Sequence, residues 1–441
     1  MQSDRYRLLS STLTLIFAAL CCAPGYSQSA SMFRNDPQHS GIYAGGVTAL
    51  HGFKWKFHTM GEVNSSPAVV NGLVFFGSND GSLYAVDAAS GVRKWAFASK
   101  SRIPSSPAVV NGVVYFGSYD GNFYALSAET GKQIWKFGIP GERRFMGSHL
   151  HGSLPAGETM PDPFDVYLSS PTVAGGTVYF GSGDSNVYAL DAATGMLKWK
   201  FHTGDVVHAS PAISGSRLYI GSWDTYFYAL DTTTGRLIWR FKTGEDKVIH
   251  NQEGIQSSAV VAQGLVYFGC RDSNFYALDA DTGQEKWRFN NKGSWVITSP
   301  VVSDGQIYFA TSDSAILHIL NALNGTPVDS IAFQWPFFGS PSIAGTTLYL
   351  GGQDGKLLAI DLRSRKIAWT IQTDGSRANL ASRSNADGSP NYEPAFASSF
   401  YDDIIVGVNR MHTVGMILTS PVISGDTVYF GSTDGNLYAV N

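Results

Sequence analysis

Residues 65–95 read Ser-Ser-Pro-Ala-Val-Val-Asn-Gly-Leu-Val-Phe-Phe-Gly-Ser-Asn-Asp-Gly-Ser-Leu-Tyr-Ala-Val-Asp-Ala-Ala-Ser-Gly-Val-Arg-Lys-Trp. Ser-Pro-Ala-Val-Val is a short apolar run, and Asn71-Gly72 is a hairpin signal because both residues tolerate positive φ. Leu73 to Gly77 is a second strand. Asn79-Asp80-Gly81 is a second turn, where the Asp side chain can bond its own backbone. Leu83 to Asp87 is a third strand, Ala89-Ser90-Gly91 a third turn, and Lys94-Trp95-Ala96-Phe97 a fourth strand. Four short antiparallel strands in one unit describe a propeller blade.

The unit recurs along the chain. Its Ser-Pro start returns at Pro67, Pro107, Pro171, Pro211, Pro300, Pro341 and Pro421, with Ala259 substituting once. The turn aspartate returns at Asp80, Asp120, Asp184, Asp224, Asp272, Asp313, Asp354 and Asp434. A closing tryptophan stands at Trp95, Trp135, Trp199, Trp239, Trp287 and Trp369, and Asp329 replaces it in the sixth repeat. The eighth repeat stops at Asn441, before any fourth strand, and the missing strand is found as Phe53-Lys54-Trp55-Lys56-Phe57. The expectation is an all-β chain, an eight-bladed β-propeller of four-stranded antiparallel blades. Its N-terminal strand closes the ring and removes an open edge.

Composition agrees. The chain has 441 residues, 48 of them glycine, with 44% hydrophobic and 15% charged residues. A net charge of −4 gives no electrostatic basis for nucleic-acid binding. Arg5 and Arg7 followed by the apolar stretch Leu13 to Leu20 read as a secretory leader, too short to span a bilayer. Cleavage is expected after Ser27, giving a periplasmic or secreted protein without a transmembrane span. Lipoprotein anchoring through Cys21 or Cys22 is the alternative, although Ala18, Ala19 and Leu20 do not follow the usual order. The chain divides into a signal peptide (1–27), a lead-in segment (28–52) and the propeller (53–441). Ordinary cleavage leaves Cys270 alone, so no intrachain disulfide can form.

A residue found in every blade cannot mark one unique site, so the turn aspartates and the tryptophans read as framework. Variable positions are more informative. Three residues before each Pro, or before Ala259, stand Asn64, Pro104, Leu168, His208, Gln256, Ile297, Phe338 and Leu418, at the channel mouth. His208, Gln256 and Asn64 are the polar members and candidates for lining a pocket.

The spacing from closing Trp to the next Ser before Pro is normally 11 residues, as from Trp95 to Ser106, but 35, 19 and 51 residues in three connections. The insertions cover about 138–167, 243–256 and 372–418. All occupy the same type of connection, on the face of the turn aspartates, and are expected to form one cap over the channel mouth with any ligand beneath it. The first holds Arg143, Arg144, His149, His151, Asp162 and Asp165. The two histidines and nearby carboxylates are a weak metal-ligand pattern. The second holds His250 and Glu253. The third is expected to carry one helix, with Tyr401, Ile404, Ile405, Val408 and Met411 at helical spacing, Ser399 as its cap, Arg410 in its last turn and Gly415 as its stop.

The pattern Gly-Ser-x-Asp-Gly-x-Leu-Tyr-Ala-Leu-Asp-x-x-Thr-Gly-x-x-x-Trp resembles the PQQ-like repeat family over about residues 53–441. The resemblance implies the propeller, and it implies two kinds of function. One is a non-catalytic periplasmic binding or scaffold protein, similar to the outer-membrane assembly lipoprotein BamB, with a protein partner or small ligand on the loop-decorated face. The other is a pyrroloquinoline quinone (PQQ) dehydrogenase with PQQ and calcium at the central channel. For the latter, Trp295 and Trp335 are candidate platforms, and Arg143, Arg144 and Arg410 candidate partners for the quinone carboxylates. Asp162, Asp165 and Glu253 are candidate bases or calcium ligands. The adjacent cysteine pair of those enzymes is absent from the mature chain, the chain is shorter, and their calcium ligands and catalytic aspartate find no matching residues here. The repeat therefore leaves the activity open and favours the binding or scaffold reading.

Overall fold

The structure, a computed structural model, describes residues 31–393 and 395–441. The leader and the readings at Cys21 and Cys22 lie outside the described residues. Among the described residues eight blades of four antiparallel strands, the seventh extended by a short parallel fifth strand, surround a central channel. The first blade consists of Ala68–Val70, Leu73–Gly77, Ser82–Asp87 and Arg93–Ala98, innermost strand first. Asn71 and Gly72 join the first pair with φ of 50° and 75°, the two positive values that a tight right-twisted hairpin requires. In the eighth blade Phe53–His58 pairs antiparallel with Asn436–Val440, Trp55 opposite Ala439. The first strand of the propeller thus closes its last blade.

The tryptophans lock neighbouring blades. Trp95 Nε1 donates to the Ala128 carbonyl at 3.0 Å and Trp199 Nε1 to that of Thr232 at 2.8 Å. Six of the rings, all but Trp369, which donates to the Val47 carbonyl, lie against the turn glycine of the next blade: a Cβ on Gly131 would fall 2.7 Å from Trp95. The glycine is therefore needed for close approach as well as for its φ of 69°. At the joint between the sixth and seventh blades both partners change. Asp329 replaces the tryptophan, Arg365 takes the glycine position, and the two form an ion pair at 2.7 Å. Both side chains are partly exposed. Such pairs contribute about 0–1 kcal/mol, against about 3–5 kcal/mol for a buried large aromatic. Hydrogen exchange is therefore expected to show the strand Pro327–Ala332 opening before the corresponding strands of other blades. Equal protection around the ring would contradict this.

A chain of serines runs around the channel. The Ser66 amide donates to Ser106 Oγ, Ser106 to Ser170, Ser170 to Ser210 and Ser210 to Ser258, at 2.8–3.0 Å. The series continues through Ser299 and Ser340 and returns from Ser420 to Ser66. Repetition of Ser before Pro is thus explained: each hydroxyl satisfies the inner-strand amide of an adjacent blade.

The lead-in segment has a role its sequence did not announce. Ile42–Tyr43 pairs parallel with Ile343 and Ala344. The carbonyls of Ser31, Pro37, Gln38 and Gly41 accept from the amides of Val109, Ile213, Val261 and Ile343, the middle residues of their inner strands, and the Gly46 amide donates to Gly425 in an inner hairpin turn, away from the insertions. Arg34, 1% exposed, donates to the carbonyls of Pro300 and Pro341. Phe33 stands in the channel wall. The segment is a plug on the face opposite the insertions.

Candidate functional site

The three insertions meet. The His151 amide donates to the Ile249 carbonyl, joining the first to the second. Leu154 and Tyr401 exchange backbone bonds with Ser399 and Leu154 respectively, and Tyr401 Oη donates to the Pro161 carbonyl, joining the first to the third. Phe145 stacks on Trp223 with centroids 4.4 Å apart. The third insertion carries two helices, Asp374–Asn379 and Tyr401–His412. The first was not expected. The second begins after Phe400, and no side chain caps it, so the Ser399 cap is corrected. Ser398 instead bonds Asp403, and Tyr401 takes its amide partner from Leu154, which sets the start of the helix. The helix ends at His412, before Gly415.

At the centre of the cap lies a buried ion pair. Arg271 and Asp162 are both 0% exposed, with Arg271 Nη1 donating to Asp162 Oδ2 at 2.9 Å. The Arg271 guanidinium sits 3.8 Å from the Trp295 ring centroid and 4.7 Å from that of Trp223. Asp162 also accepts from the Phe164 amide and from His151 Nε2, while His151 Nδ1 faces Asn251 Oδ1 at 2.9 Å. Burial opposes the charge on Asp162, but Arg271 and His151 outweigh it and hold the carboxyl well below its usual range. The proposed His-Asp metal pattern thus has its cation supplied by the protein: Arg271 lies against both Asp162 and His151. Among the described residues no group of three or more His, Cys, Asp or Glu converges to hold a metal.

The other sequence candidates divide sharply. His208 is buried, with Nδ1 2.8 Å from Asp165 and Nε2 3.4 Å from Glu142. Burial works against its charge, yet the two acids prevail and its pKa is pushed up to about 9. Because the folded value exceeds the ordinary 6.5, this contribution to stability is full below pH 6.5 and is lost as pH rises through 9. The melting temperature is expected to fall across that window, and His208→Asn should flatten the fall; an unchanged slope would contradict it. Gln256 donates to the Phe164 carbonyl and Asn64 to Glu62. Arg143 pairs with Asp205, and His250 with Glu253, bracing the loops. Arg410 is exposed and donates to the Ala395 carbonyl. Arg144 faces a separate cleft beside Arg102. His149 adopts φ of 54° at the start of a short helical turn and joins no metal-binding group.

All eight residues standing three before Pro or Ala259 do line the channel. The channel itself is nearly shut. It encloses about 40 Å3, enough for a few waters, between Phe33 on one side and Tyr167 and Leu168 on the other. Tyr167 Oη lies 3.0 and 3.1 Å from the Phe338 and Leu418 carbonyls, fixing the first insertion across the mouth.

The usable space lies to one side, in a cavity of about 370 Å3 under the joined insertions. Phe164, His151 and Trp295 form one wall, and Tyr392, Phe396 and Met411 another. Asn251 from the second insertion and Gln353 and Asp313 from the blades add polar groups.

Asp313 corrects the reading of the turn aspartates. Asp80, Asp120, Asp184, Asp224, Asp272 and Asp434 each accept the amide two residues on and the tyrosine hydroxyl four residues on. Asp354 keeps the amide bond. Asp313 makes neither; its one such contact is Ser312 Oγ at 3.4 Å. An extra residue follows it, His318 replaces the tyrosine and bonds Asn291, and Thr311 receives the Ile316 amide. The carboxylate is released into the cavity, where low-dielectric surroundings raise its pKa. Arg271, Gln353 and Trp223 share another overlooked position, the variable residue before a turn aspartate. Comparing that position across repeats would have found them.

A family model described as outer membrane protein assembly factor BamB matches residues 45–170, 164–290 and 271–389. No curated protein sequence matches significantly. Among solved structures, BamB from Moraxella catarrhalis is 15% identical with a TM-score of 0.63, covering 88% of this chain and 97% of that one. A europium-containing methanol dehydrogenase is 14% identical with a TM-score of 0.68, covering 94% and 98%. Quinohemoprotein alcohol dehydrogenase from Comamonas testosteroni is 14% identical with a TM-score of 0.67, covering 94% and 80%. At these identities the structural likeness establishes the fold alone.

Proposed function

The chain belongs to the family described as outer membrane protein assembly factor BamB, the PQQ-like propellers, and within it we propose an exported binding propeller whose ligand sits in the lateral cavity. The observation that carries this reading is the pairing of a closed channel with an open cavity. Three separate insertions converge to wall a space of about 370 Å3, while the channel keeps about 40 Å3. Clefts of this size with apolar walls and a few polar groups suit small molecules. Export rests on the leader at residues 1–27, and among the described residues no helix is long and apolar enough to cross a membrane.

The quinone reading fits these residues poorly. A flat tricyclic tricarboxylate exceeds the channel, and Tyr167 closes the mouth. In the cavity, Trp295 already has Arg271 on its ring, and that arginine is committed to Asp162. Asp313 would repel carboxylates, and it is the one carboxylate among the described residues lining the cavity, where calcium takes roughly six to eight oxygen ligands. A protein partner on the same face is the second reading, favoured by Leu154, Phe400 and Val406 exposed on the outside of the cap. Titration with PQQ and calcium, followed by absorbance and tryptophan fluorescence, should give no saturable binding. Stoichiometric binding would overturn the proposal.

A further inference from the structure

Resting on that cavity as the binding site, we propose that its ligand is an organic cation, an ammonium group on a compact apolar frame, with Asp313 as counter-charge and the rings of Phe164, Tyr392 and Phe396 as its enclosure. The argument begins with charge. Asp313 is the carboxylate that lines the cavity; it lacks the turn amide and tyrosine hydroxyl that most other blades supply, and Arg271 and His151 act on it only at a distance, without an ion pair. The other titratable groups are matched: at the wall His412 Nδ1 stands 2.8 Å from Glu62, and behind Trp295 the buried Arg271 is paired with Asp162. His151 Nε2 faces the Asp162 carboxylate as well. The cavity therefore presents one unmatched negative charge.

Aromatic geometry points the same way. Phe164 stands on one side, held edge to face by Trp295 with centroids 5.7 Å apart. Tyr392 and Phe396 meet at 6.1 Å on another. Ring faces attract cations, most strongly where water is excluded, and an ammonium held by several rings beside one carboxylate is a recurring arrangement. An anionic ligand would meet Asp313 directly. A neutral apolar ligand would leave that carboxylate desolvated without a partner. Burial raises the pKa of Asp313, Arg271 and His151 oppose that rise from a distance, and a bound cation would lower it further.

Choline and its uncharged isostere 3,3-dimethylbutan-1-ol test this by calorimetric titration of the full mature protein. Choline should bind about tenfold more tightly or better. Asp313→Asn should cut the preference for choline severalfold or more, leaving only what the rings contribute. Tyr392→Ala, at the partly exposed rim, should weaken both without unfolding the protein. Equal affinities in the wild type, or a preference undiminished by Asp313→Asn, would overturn the cation with its Asp313 counter-charge while leaving the cavity as a site. Binding of neither probe would overturn the cavity reading and this inference together.

Discussion

Asp162→Ala is expected to cost about 3–5 kcal/mol of stability and to loosen the cap. The reason is the Arg271 that would remain. Its guanidinium is wholly buried between Trp223 and Trp295, and Asp162 is its counter-ion. The same carboxylate holds the Phe164 amide and His151, so its loss releases the segment that forms one cavity wall. Burying a charge without a partner is far more costly than burying none. The double variant Asp162→Ala, Arg271→Met should accordingly be more stable than Asp162→Ala alone, a coupling that a double-mutant cycle in urea would measure. A single-variant loss under about 1 kcal/mol would contradict the account, because it would place the pair among ordinary surface ion pairs.

Removal of the N-terminal strand should have a larger effect. A chain beginning at residue 53 keeps the closing strand and loses only the plug; it should fold with reduced stability. A chain beginning at residue 59 loses Phe53–His58, uncovering the edge of Asn436–Val440 and the slot that Trp55 fills. Trp55 Nε1 also donates to the Ala88 carbonyl, tying the eighth blade to the first. Loss of a docked tryptophan with a whole strand is comparable with the net stability of a domain, about 5–15 kcal/mol. The shorter chain should therefore aggregate or unfold without a cooperative transition. Two equal melting temperatures would show that the ring does not depend on this closure.

Most of the framework was readable because it repeats. Eight aspartates, the Ser-Pro starts and the tryptophans report the same local physics again and again, and the sixth repeat, where the tryptophan is lost and Asp313 sheds its turn bonds, marks the joint where an ion pair replaces ring docking. The plug at residues 31–47 was unreadable for the opposite reason. It occurs once, pairs through backbone groups whose partners sequence does not name, and buries Arg34 against two carbonyls.

The site was legible in outline and misleading in detail. Spacing alone located the insertions, and His151, Asp162 and Trp295 do belong to the cap. Arg271 escaped notice because it sits inside a turn motif whose neighbours are framework. Asp313 was assigned to that framework by its residue type. The extra residue after it and the histidine at 318 were the signals that its hydrogen bonds had changed. Glu142, which holds His208 together with Asp165, sits at the edge of the first insertion among several equally polar residues. Nothing in its spacing distinguishes it.

The central claim is that the function resides in the lateral cavity and not in the channel. Its most direct test is native mass spectrometry of the mature protein after equilibration with small molecules extracted from the producing cells. The wild type should carry a single non-covalent adduct, and Met416→Trp, which fills the cavity from its buried wall, should lose it while retaining the fold by circular dichroism. An adduct that persists in Met416→Trp, or a wild type that carries none, would contradict the account.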